Sequence, residues 1–375
     1  MDKTYDFSND RIVLRSLGGS DRKNRVLHDG KYYMLKFTEE HVKKSEVSTS
    51  HENNAISEYI SSHIAQSTGL ETHNTILGFY NDEVCVACED FRTSDTDNME
   101  FQEIMRTIYG PSELKRIARL DQIYAAYNCP AFPEYLREDG VKRYWDTFVI
   151  DALVGNFDRH IGNWGLLTKA DDLNGYKLAP TYDYGSTLFP ILSDDGVKEI
   201  IDNEFEMQKR CYVFPSATLY LTKEKKGKPG YYDMLASGYD ENCSTAIIRM
   251  FPKINIEKID NIIDNTPIIS DVKKDFYKKI LDMRYELILE KAYQHCINHD
   301  YDKDALNRLQ NGISIDDKML SEIMQEKPAS MHLIKRPHQS KQDKINESLT
   351  HDETMQNIAD NSKTKADCED TKSTT

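Results

Sequence analysis

The sequence predicts an α+β chain of two lobes, with a strand-rich N-terminal lobe, a mainly helical C-terminal lobe and a polar tail. Turn pairs flanked by apolar runs recur before residue 91, which is the pattern of β-hairpins. Apolar residues at helical spacing dominate between residues 99 and 325. Residues 341–375 contain no aromatic residue and are rich in Lys, Asp, Ser and Thr. We therefore predict lobes at 1–91 and 92–326, and a disordered tail at 327–375.

The N-terminal lobe is predicted as an antiparallel sheet with one helix. Residues 11–37 suit three strands, with a glycine turn after the first and an Asp29-Gly30 turn after the second. A helix is expected next, because isoleucines recur every fourth residue at Ile56, Ile60 and Ile64 and a glycine that can end the helix follows at Gly69. A second hairpin is predicted through Asn81-Asp82.

The C-terminal lobe is predicted to be helical around one short hairpin. Residues 99–155 should be helical with a break near Pro130 and Pro133. Two short apolar strands should flank a turn at 171–175, and residues 196–325 should again be helical.

Composition excludes several classes of protein. The chain of 375 residues carries a net charge of −15, which argues against free-standing nucleic-acid binding. No run approaches the ~18 apolar residues of a membrane span, and the polar, acidic N-terminus is not a signal peptide. Seven scattered cysteines suit a reducing compartment, so the default localisation is cytoplasmic. Cys85 and Cys88 form a lone CxxC on a predicted strand, where side chains three apart point to opposite faces, so no zinc site is expected from the pair.

The loop GNFDRHIGN, between an apolar helix and an apolar strand, is the most informative stretch. Asp158 and Asn163 lie five positions apart in it, and Asp183 follows beyond the next strand pair. This spacing matches the catalytic half of a protein kinase, where one carboxylate accepts the substrate hydroxyl proton and the Asn and second carboxylate hold Mg²⁺. Gly185 is expected to allow a sharp turn after the metal-binding Asp. The alternative is a turn with ordinary capping side chains.

The N-terminal lobe supplies matching partners in the right order along the chain. Lys36 on the third strand corresponds to the lysine that pairs with nucleotide phosphates, and Glu58 on the following helix would hold it. Taken alone, Lys36 and Glu58 are each also typical of residues on a solvated surface. The remaining candidates for nucleotide binding are a turn that lacks the full GxGxxG and the end of the last strand: Gly18, Gly19 and Ser20, then Glu89, Asp90 and Phe91.

These motifs resemble the HipA-like serine/threonine kinases, and within them the CtkA type, over residues 6–300. They read LGGSDRKN, YMLKF, SEYI, VACEDF, LVGNFDRHIGNWGLL, LAPTYDYGSTL and IIDNTP. The resemblance implies a bacterial protein with a two-lobed protein-kinase-like fold that uses ATP and Mg²⁺ and phosphorylates a Ser or Thr of a protein substrate. It makes Asp158 the catalytic base, Asn163 and Asp183 the metal ligands, and Lys36 the phosphate clamp.

The resemblance also implies regulation and partners. A serine of the phosphate loop is autophosphorylated in that family, and Ser16 occupies its place here, with Ser20 as the second choice. Arg159 and His160 follow the catalytic Asp as in HipA-like members, so His160 is expected to order the loop at the ATP site. The N-terminal extra domain of HipA toxins is not seen, and an antitoxin or a host protein remains open as partner. A toxin, a regulator, or an effector secreted without a signal peptide all fit.

Three other functions are compatible with parts of the pattern. The same fold could phosphorylate a small molecule, or it could bind a nucleotide and a partner without catalysis. A metal-dependent phosphoesterase is the last alternative, but its upstream Asp-x-His motif is absent from the N-terminal third.

Overall fold

A computed structural model describes residues 4–13, 23–37, 55–93, 95–110, 114–169, 172–221 and 227–325. The predicted phosphate turn at Gly18, Gly19 and Ser20, the candidate acceptor Ser16 and the predicted tail at 327–375 lie outside these residues. The mixed α+β architecture with a sheet-based N-terminal lobe and a helical C-terminal lobe is as predicted.

A six-stranded sheet forms the N-terminal lobe, in the spatial order β1-β5-β6-β4-β3-β2. Its strands are β1 (Tyr5–Asp6), β2 (Arg11–Ile12), β3 (Lys23–His28), β4 (Lys31–Phe37), β5 (Thr75–Tyr80) and β6 (Glu83–Glu89). The prediction of a purely antiparallel sheet is wrong at one edge, where β1 pairs parallel with β5. A strand of two residues is too short to show a periodic pattern in the sequence. β1 is extended because it pairs with β5.

Both predicted hairpins are confirmed, and their turn residues explain them. Asp29 and Gly30 have φ of 46° and 79°, and Asn81 and Asp82 have φ of 51° and 65°. Two consecutive left-handed residues are the requirement of a type I′ turn, which matches the twist of the flanking strands. The turns therefore set the register of β3 with β4 and of β5 with β6.

One helix, α1 (Ala55–Ser67), packs against this sheet. Ile60 and Ile64 are fully buried on its inner face, as their spacing predicts. The helix is followed by Gly69, whose φ of 83° is readily adopted only by glycine. Glu58 is also buried, but it lies two residues before Ile60 and therefore on a different side of the helix. Helix packing thus places a carboxylate beneath the sheet.

A second, three-stranded sheet lies in the C-terminal part, in the order β7-β8-β9. Its strands are β7 (Thr96–Glu100), β8 (Gly165–Lys169) and β9 (Asp172–Leu178). The predicted helix from residue 99 and turn over 171–175 are both wrong in detail. The polar stretch of β7 becomes extended by pairing with β8, which is distant in sequence, and β9 begins inside the predicted turn.

Helices make up the rest of the C-terminal lobe. They are α2 (Phe101–Tyr109), α3 (Leu120–Asn128), α4 (Arg137–Val154), α5 (Asp194–Ile200), α6 (Glu204–Tyr212), α7 (Tyr231–Ala236), α8 (Glu241–Met250), α9 (Ile256–Asn265), α10 (Asp271–Arg284), α11 (Lys291–Ile297), α12 (Lys303–Asn311) and α13 (Asp317–Gln325). A short π-helical stretch, Tyr285–Glu290, joins α10 to α11. The predicted break at Pro130 and Pro133 falls between α3 and α4.

Helix α4 is the buried element that leads into the functional loop. Trp145, Val149 and Leu153 are fully buried in the main core. The helix ends at Gly155, which adopts φ 67° and ψ 50° and donates its amide to the Asp151 carbonyl. A side chain there would need the left-handed conformation and would lie 3.3 Å from Pro215. None of the helices in the described part of the chain combines the length and the apolar character that crossing a membrane requires.

Candidate active site

The loop between α4 and β8 holds Asp158 at a position set by its own neighbours. The Asp158 amide donates to Asn156 Oδ1 at 3.0 Å, and the hydroxyl of Tyr231 donates to the Asn156 carbonyl at 2.6 Å. The carboxylate Oδ2 of Asp158 lies 2.8 Å from Arg116 Nη2. The side chain is thus oriented before any substrate arrives.

Asp151 and Arg159 form a buried ion pair under this loop. Arg159 Nε and Nη2 donate to the two Asp151 carboxylate oxygens at 2.9 and 3.0 Å, and Asn156 Nδ2 donates to Oδ1 at 2.9 Å. Burial acts to lower the pKa of Arg159, but the Asp151 carboxylate outweighs it and raises that pKa. Bidentate pairing of this kind offsets the free-energy cost of desolvating both charges.

Arg159 also links the loop to the segment that carries Asp183. Its Nη1 donates to the carbonyls of Asn163, at 3.4 Å, and of Tyr182. Its guanidinium lies 4.5 Å from the ring centroid of Tyr184. Arg159 therefore holds the carbonyl of one candidate metal ligand, Asn163, and the carbonyl of the residue that precedes the other, Asp183.

Asn163 is buried, and its amide group is oriented by the backbone. Asn163 Nδ2 donates to the Asp158 carbonyl at 2.8 Å, so Oδ1 is directed away from that contact. An amide oxygen and a carboxylate oxygen are the hard ligands that Mg²⁺ prefers. Asn163 and Asp183 thus present the donor set that the sequence predicts for the metal.

Lys36 of β4 reaches across to the C-terminal lobe. Its Nζ lies 3.0 Å from Glu58 Oε2 and 2.8 Å from Asp183 Oδ1. The Glu58 side chain is 0% exposed and that of Asp183 is 29% exposed. The structure therefore brings together the lysine, the helix glutamate and the second aspartate of the predicted set.

The charges in this cluster depend on one another. Burial acts to lower the pKa of Lys36, but Asp183 and Glu58 outweigh it and hold that pKa well above its usual value. Burial acts to raise the pKa of Glu58 and of Asp183, yet the Lys36 ammonium lowers both. All three groups are ionised near neutral pH, and one negative charge is left over.

Asp183 adopts a left-handed backbone conformation, with φ 66°. The chain then turns at Gly185 and Ser186, as the sequence predicts, although Gly185 is not among the residues with positive φ. Asp tolerates the left-handed region better than most residues, although the conformation still costs about 1 kcal/mol or more. The left-handed residue is thus the metal-ligand candidate itself, whose carboxylate contacts Lys36.

The backbone amides at the end of β6 and in the two residues after it differ in their hydrogen bonds. The amides of Glu89 and Asp90 donate to the carbonyls of Asn74 and Tyr32. Among the described residues the Phe91 amide has no such acceptor. The Phe91 ring lies 5.6 Å from that of Tyr182, beside the cleft.

Asp90 is held by two arginines, so it serves to shape this segment. Arg25 Nε lies 2.9 Å from Asp90 Oδ2, and Arg92 Nε donates to Oδ1 at 2.7 Å. Burial acts to raise the pKa of Asp90, and Arg92 with Arg25 lowers it. The predicted adenine-binding segment is thus fastened to the sheet by ion pairs.

The imidazole of His160 makes its contacts within the same loop. Its Nδ1 accepts from the Gly162 amide at 3.0 Å, and its Nε2 lies 3.9 Å from Asp158 Oδ2. Its own amide donates to the Asp158 carbonyl at 2.8 Å.

A basic rim lies beside Asp158 that sequence reasoning did not assign to the site. Arg116 precedes α3, and Lys228 precedes α7. Burial lowers the pKa of Lys228, Asp158 opposes that change and Arg116 adds to it, so the three groups lie within electrostatic reach of one another. A third missed group is Asp151, a lone carboxylate in the apolar run TFVIDALV, where burial requires a cationic partner.

The fold and this arrangement define a protein of the two-lobed kinase-like class. The family model described as HipA-like C-terminal domain matches residues 15–226, which is more than half of the chain. The chain therefore belongs to the HipA-like family, as its motifs indicate.

Two relatives extend the comparison over most of the chain. The serine/threonine-protein kinase CtkA of Helicobacter pylori (strain J99) is 35% identical over 283 residues, which cover 75% of this chain and 84% of that protein. The crystal structure of a Helicobacter pylori proinflammatory kinase CtkA is similar with a TM-score of 0.69 at 32% identity, over 79% of this chain and 99% of that chain.

Proposed function

We propose that this chain is an ATP- and Mg²⁺-dependent serine/threonine protein kinase of the HipA-like type. The observation that carries the proposal is the contact of Lys36 with both Glu58 and Asp183. A lysine from the N-terminal sheet meets a carboxylate from beyond the catalytic loop, which is the arrangement of an assembled kinase cleft. The similarity to a serine/threonine-protein kinase over most of the chain supports the choice of substrate class.

The donor set fits a magnesium ion that accompanies the nucleotide. Asn163 and Asp183 would hold it through an amide oxygen and a carboxylate oxygen. When bound, the ion neutralises phosphate charge and aligns the phosphoryl group for transfer. The negative charge left over by the Lys36 cluster favours a cation at this position.

The chain's own residues account for the remaining chemistry. Asp158 accepts the proton of the acceptor hydroxyl, whose oxygen bonds to the γ-phosphorus while the bond to the β-phosphate oxygen breaks and ADP leaves. The Lys36 ammonium holds the nucleotide phosphates in place, and Glu58 keeps that ammonium aimed. The Phe91 amide is available to adenine. Arg116 and Lys228 give the acceptor side a positive rim.

A non-catalytic nucleotide-binding module accounts less well for the same site. Burying Lys36, Glu58 and Asp183 together is expensive, and a simple binding fold could replace them with apolar residues at no loss of stability. The complete set is explained by catalysis. A small-molecule acceptor would use the same residues, so the acceptor has to be tested directly.

The test is phosphate transfer from labelled ATP with Mg²⁺, first to the chain itself and then to generic protein acceptors. Wild type should label Ser or Thr, whereas Asp158→Ala should lose ~10³-fold or more of the rate. Asp317→Ala is the matched control, because Asp317 is a surface carboxylate paired with Lys209 at 2.8 Å on α13. Equal labelling of wild type and Asp158→Ala would reject the kinase proposal.

Autophosphorylation belongs to the same proposal. We expect mass spectrometry of the wild-type protein to find phosphate at Ser16 or, failing that, at Ser20. Ser16→Ala should then abolish self-labelling while transfer to other proteins continues. Phosphate confined to other residues would contradict this part.

The site of action is proposed by analogy with the relative. The chain would be made in the cytoplasm and could act as an exported effector on proteins of another cell, since the related kinase is described as proinflammatory.

A further inference from the structure

Cys85 and Cys88 on β6 lie on opposite faces of the N-terminal sheet, as their spacing predicts. Cys85 packs in the cluster that contains Phe7 and Leu35, whereas Cys88 packs in the main core with α1. The pair therefore cannot share a metal ion. Cys88 instead faces the side of the sheet on which Lys36 meets Glu58, because Lys36 pairs with Val86 and residues two apart in a strand share a face.

Three potential metal ligands converge at this point. Glu58, His73 and Cys88 are all buried, and their ligand atoms lie within 4.8 Å of one another. His73 Nε2 is already 3.0 Å from Glu58 Oε1. Bonds of about 2.0–2.3 Å in a tetrahedral zinc site need ligand separations of roughly 3.3–3.8 Å. The His73–Glu58 separation would therefore widen slightly, and the Cys88 sulfur lies no more than 4.8 Å from either partner atom.

The residue types select a class of ion. A thiolate, an imidazole and a carboxylate together suit Zn²⁺ and other thiophilic divalent metals, and they are a poor set for Mg²⁺. The sequence distances are long, since Glu58, His73 and Cys88 come from α1, the segment before β5, and β6. No short sequence motif predicts this cluster.

We propose that Glu58, His73 and Cys88 form a binding site for a thiophilic divalent metal such as Zn²⁺, and that occupation of this site is incompatible with the Lys36–Glu58 ion pair. On binding, the Cys88 thiol releases its proton to solvent. The proton that His73 Nε2 shares with Glu58 also leaves that nitrogen, so that the neutral imidazole carries its proton on Nδ1 and binds the metal through Nε2. No electron transfer is involved.

The incompatibility follows from how Glu58 divides its two oxygens. Oε1 accepts from His73, while Oε2 holds Lys36 Nζ at 3.0 Å. A divalent cation on Oε1 would lie close to the Lys36 ammonium in a buried environment, where like charges repel strongly. Lys36 would keep only Asp183 as a partner, and that carboxylate is the candidate ligand for the magnesium ion.

Metal at this site should therefore inhibit, and nucleotide should oppose it. Because ATP needs Lys36 aligned by Glu58, linkage requires that each ligand weakens the other by the same factor. The inhibitory consequence rests on the proposed kinase function, whereas metal binding itself does not.

The binding test uses Co²⁺ as a spectroscopic probe, added to the reduced full-length protein. We expect one equivalent to produce the near-ultraviolet charge-transfer band of a thiolate–cobalt bond. Cys88→Ser and His73→Gln should weaken binding about tenfold or more and remove or diminish the band. Cys85→Ser is the matched control, a buried cysteine of the same strand that should leave the band intact.

Circular dichroism melting shows whether each variant is folded before its spectrum is compared. A band of equal strength and affinity in wild type and folded Cys88→Ser would overturn the site. This readout needs no enzymatic activity, so it stands even if the chain proves not to be a kinase.

The inhibition test measures phosphate transfer against added Zn²⁺, with each protein scaled to its own zinc-free rate. Half-inhibition should require about tenfold more Zn²⁺ in Cys88→Ser than in Cys85→Ser, and a chelator should restore the rate. ADP added without Mg²⁺ should weaken Co²⁺ binding to wild type. Equal zinc sensitivity of the two serine variants, or Co²⁺ binding indifferent to ADP, would overturn the incompatibility with the Lys36–Glu58 pair.

Discussion

The two halves of the cleft are built from different kinds of buried charge. In the catalytic loop, Arg159 pairs with Asp151 eight residues earlier, and Asp151 is 1% exposed. In the upper half, Lys36 pairs with Glu58 and Asp183, which lie 22 and 147 residues away in sequence. The ion pair under the loop is thus local in sequence, whereas the lysine cluster joins residues of both lobes.

Charge balance separates the halves further. Asp151 and Arg159 neutralise each other, so this pair leaves no net charge for a ligand to balance. The Lys36 cluster has two carboxylates for one ammonium, and Asp183 is partly exposed. The comparison teaches that the charges under the loop are balanced within the fold, whereas the lysine cluster keeps an excess negative charge and a partly exposed carboxylate.

The largest effect should come from Asp183→Ala. We expect phosphate transfer to fall by ~10³-fold or more, because the variant removes a candidate metal ligand worth several kcal/mol of transition-state stabilisation. The unfolding free energy measured in urea should fall by only about 1–3 kcal/mol, since Lys36 keeps Glu58 as a partner. Steady-state kinetics over a range of Mg²⁺ concentrations checks the first point. A fall in unfolding free energy as large as the rise in activation free energy would contradict the contrast between the two halves of the cleft.

Asp151→Ala should have the largest effect on stability. It leaves the Arg159 guanidinium buried without its carboxylate, at a cost of about 3–5 kcal/mol of unfolding free energy. Denaturant titration measures this.

The control for that variant is Asp233→Ala, because Asp233 forms a similar buried pair with Arg308 at 2.7 Å between α7 and α12. It should lose comparable stability yet keep its rate per folded molecule. If both variants lose the same activity, Asp151 has no special role beneath the loop.

Glu58→Gln should act mainly on the rate, by about 10–100-fold, because Lys36 is held by one carboxylate in place of two. The unfolding free energy should fall by about 1–3 kcal/mol, since a buried charge partner is removed. Glu71→Gln serves as the control, as Glu71 is a surface carboxylate 2.9 Å from Arg143. A variant with wild-type rate would show that Glu58 does not align Lys36.

The pH dependence of stability sharpens the same comparison. The pKa of Glu58 is lower in the folded chain than the value of ~4.3 expected when unfolded. Its contribution is therefore complete above that value and is lost as pH falls through the folded pKa. The difference in unfolding free energy between wild type and Glu58→Gln should be constant near neutral pH and shrink in acid. A difference that grows on acidification would contradict the sign of the shift.

Arg116→Ala should have the smallest effect on stability. Arg116 is 46% exposed, so its contact with Asp158 is screened by water and salt. The unfolding free energy should change by less than about 1 kcal/mol, and the change should vanish at high ionic strength. Arg119→Ala, which breaks the surface pair with Asp121 at 2.9 Å, is the comparison. A salt-independent loss of several kcal/mol would place Arg116 with the buried pairs.

Much of the cleft could be predicted because its signals are local. The spacing of Asp158, Asn163 and Asp183, and the place of Lys36 beside a type I′ hairpin, are properties of short segments. Turn chemistry and periodicity act over a few residues, so they can be read directly from the chain. The lobe boundaries at 91 and 326 and the roles of the site residues stay predictions.

Long-range pairing explains what local pattern could not show. Strand β7 is extended because β8 accepts it, and β1 because β5 does. Asp183 takes a left-handed conformation between two long-range contacts, one from Arg159 to the Tyr182 carbonyl and one from Lys36 to the Asp183 carboxylate. These contacts join residues that are far apart in the sequence, so no local pattern predicts them.

The sequence by itself determined which chemical groups this protein owns and in what order, since turn residues, helix spacing and motif spacing depend on neighbours along the chain. Only the tertiary structure decided which of them meet: Lys36 with Asp183, Arg159 with Asp151, and Cys88 with Glu58 and His73. The physical reason is that a buried charge needs a partner, and the fold supplies it from whichever segment packs alongside.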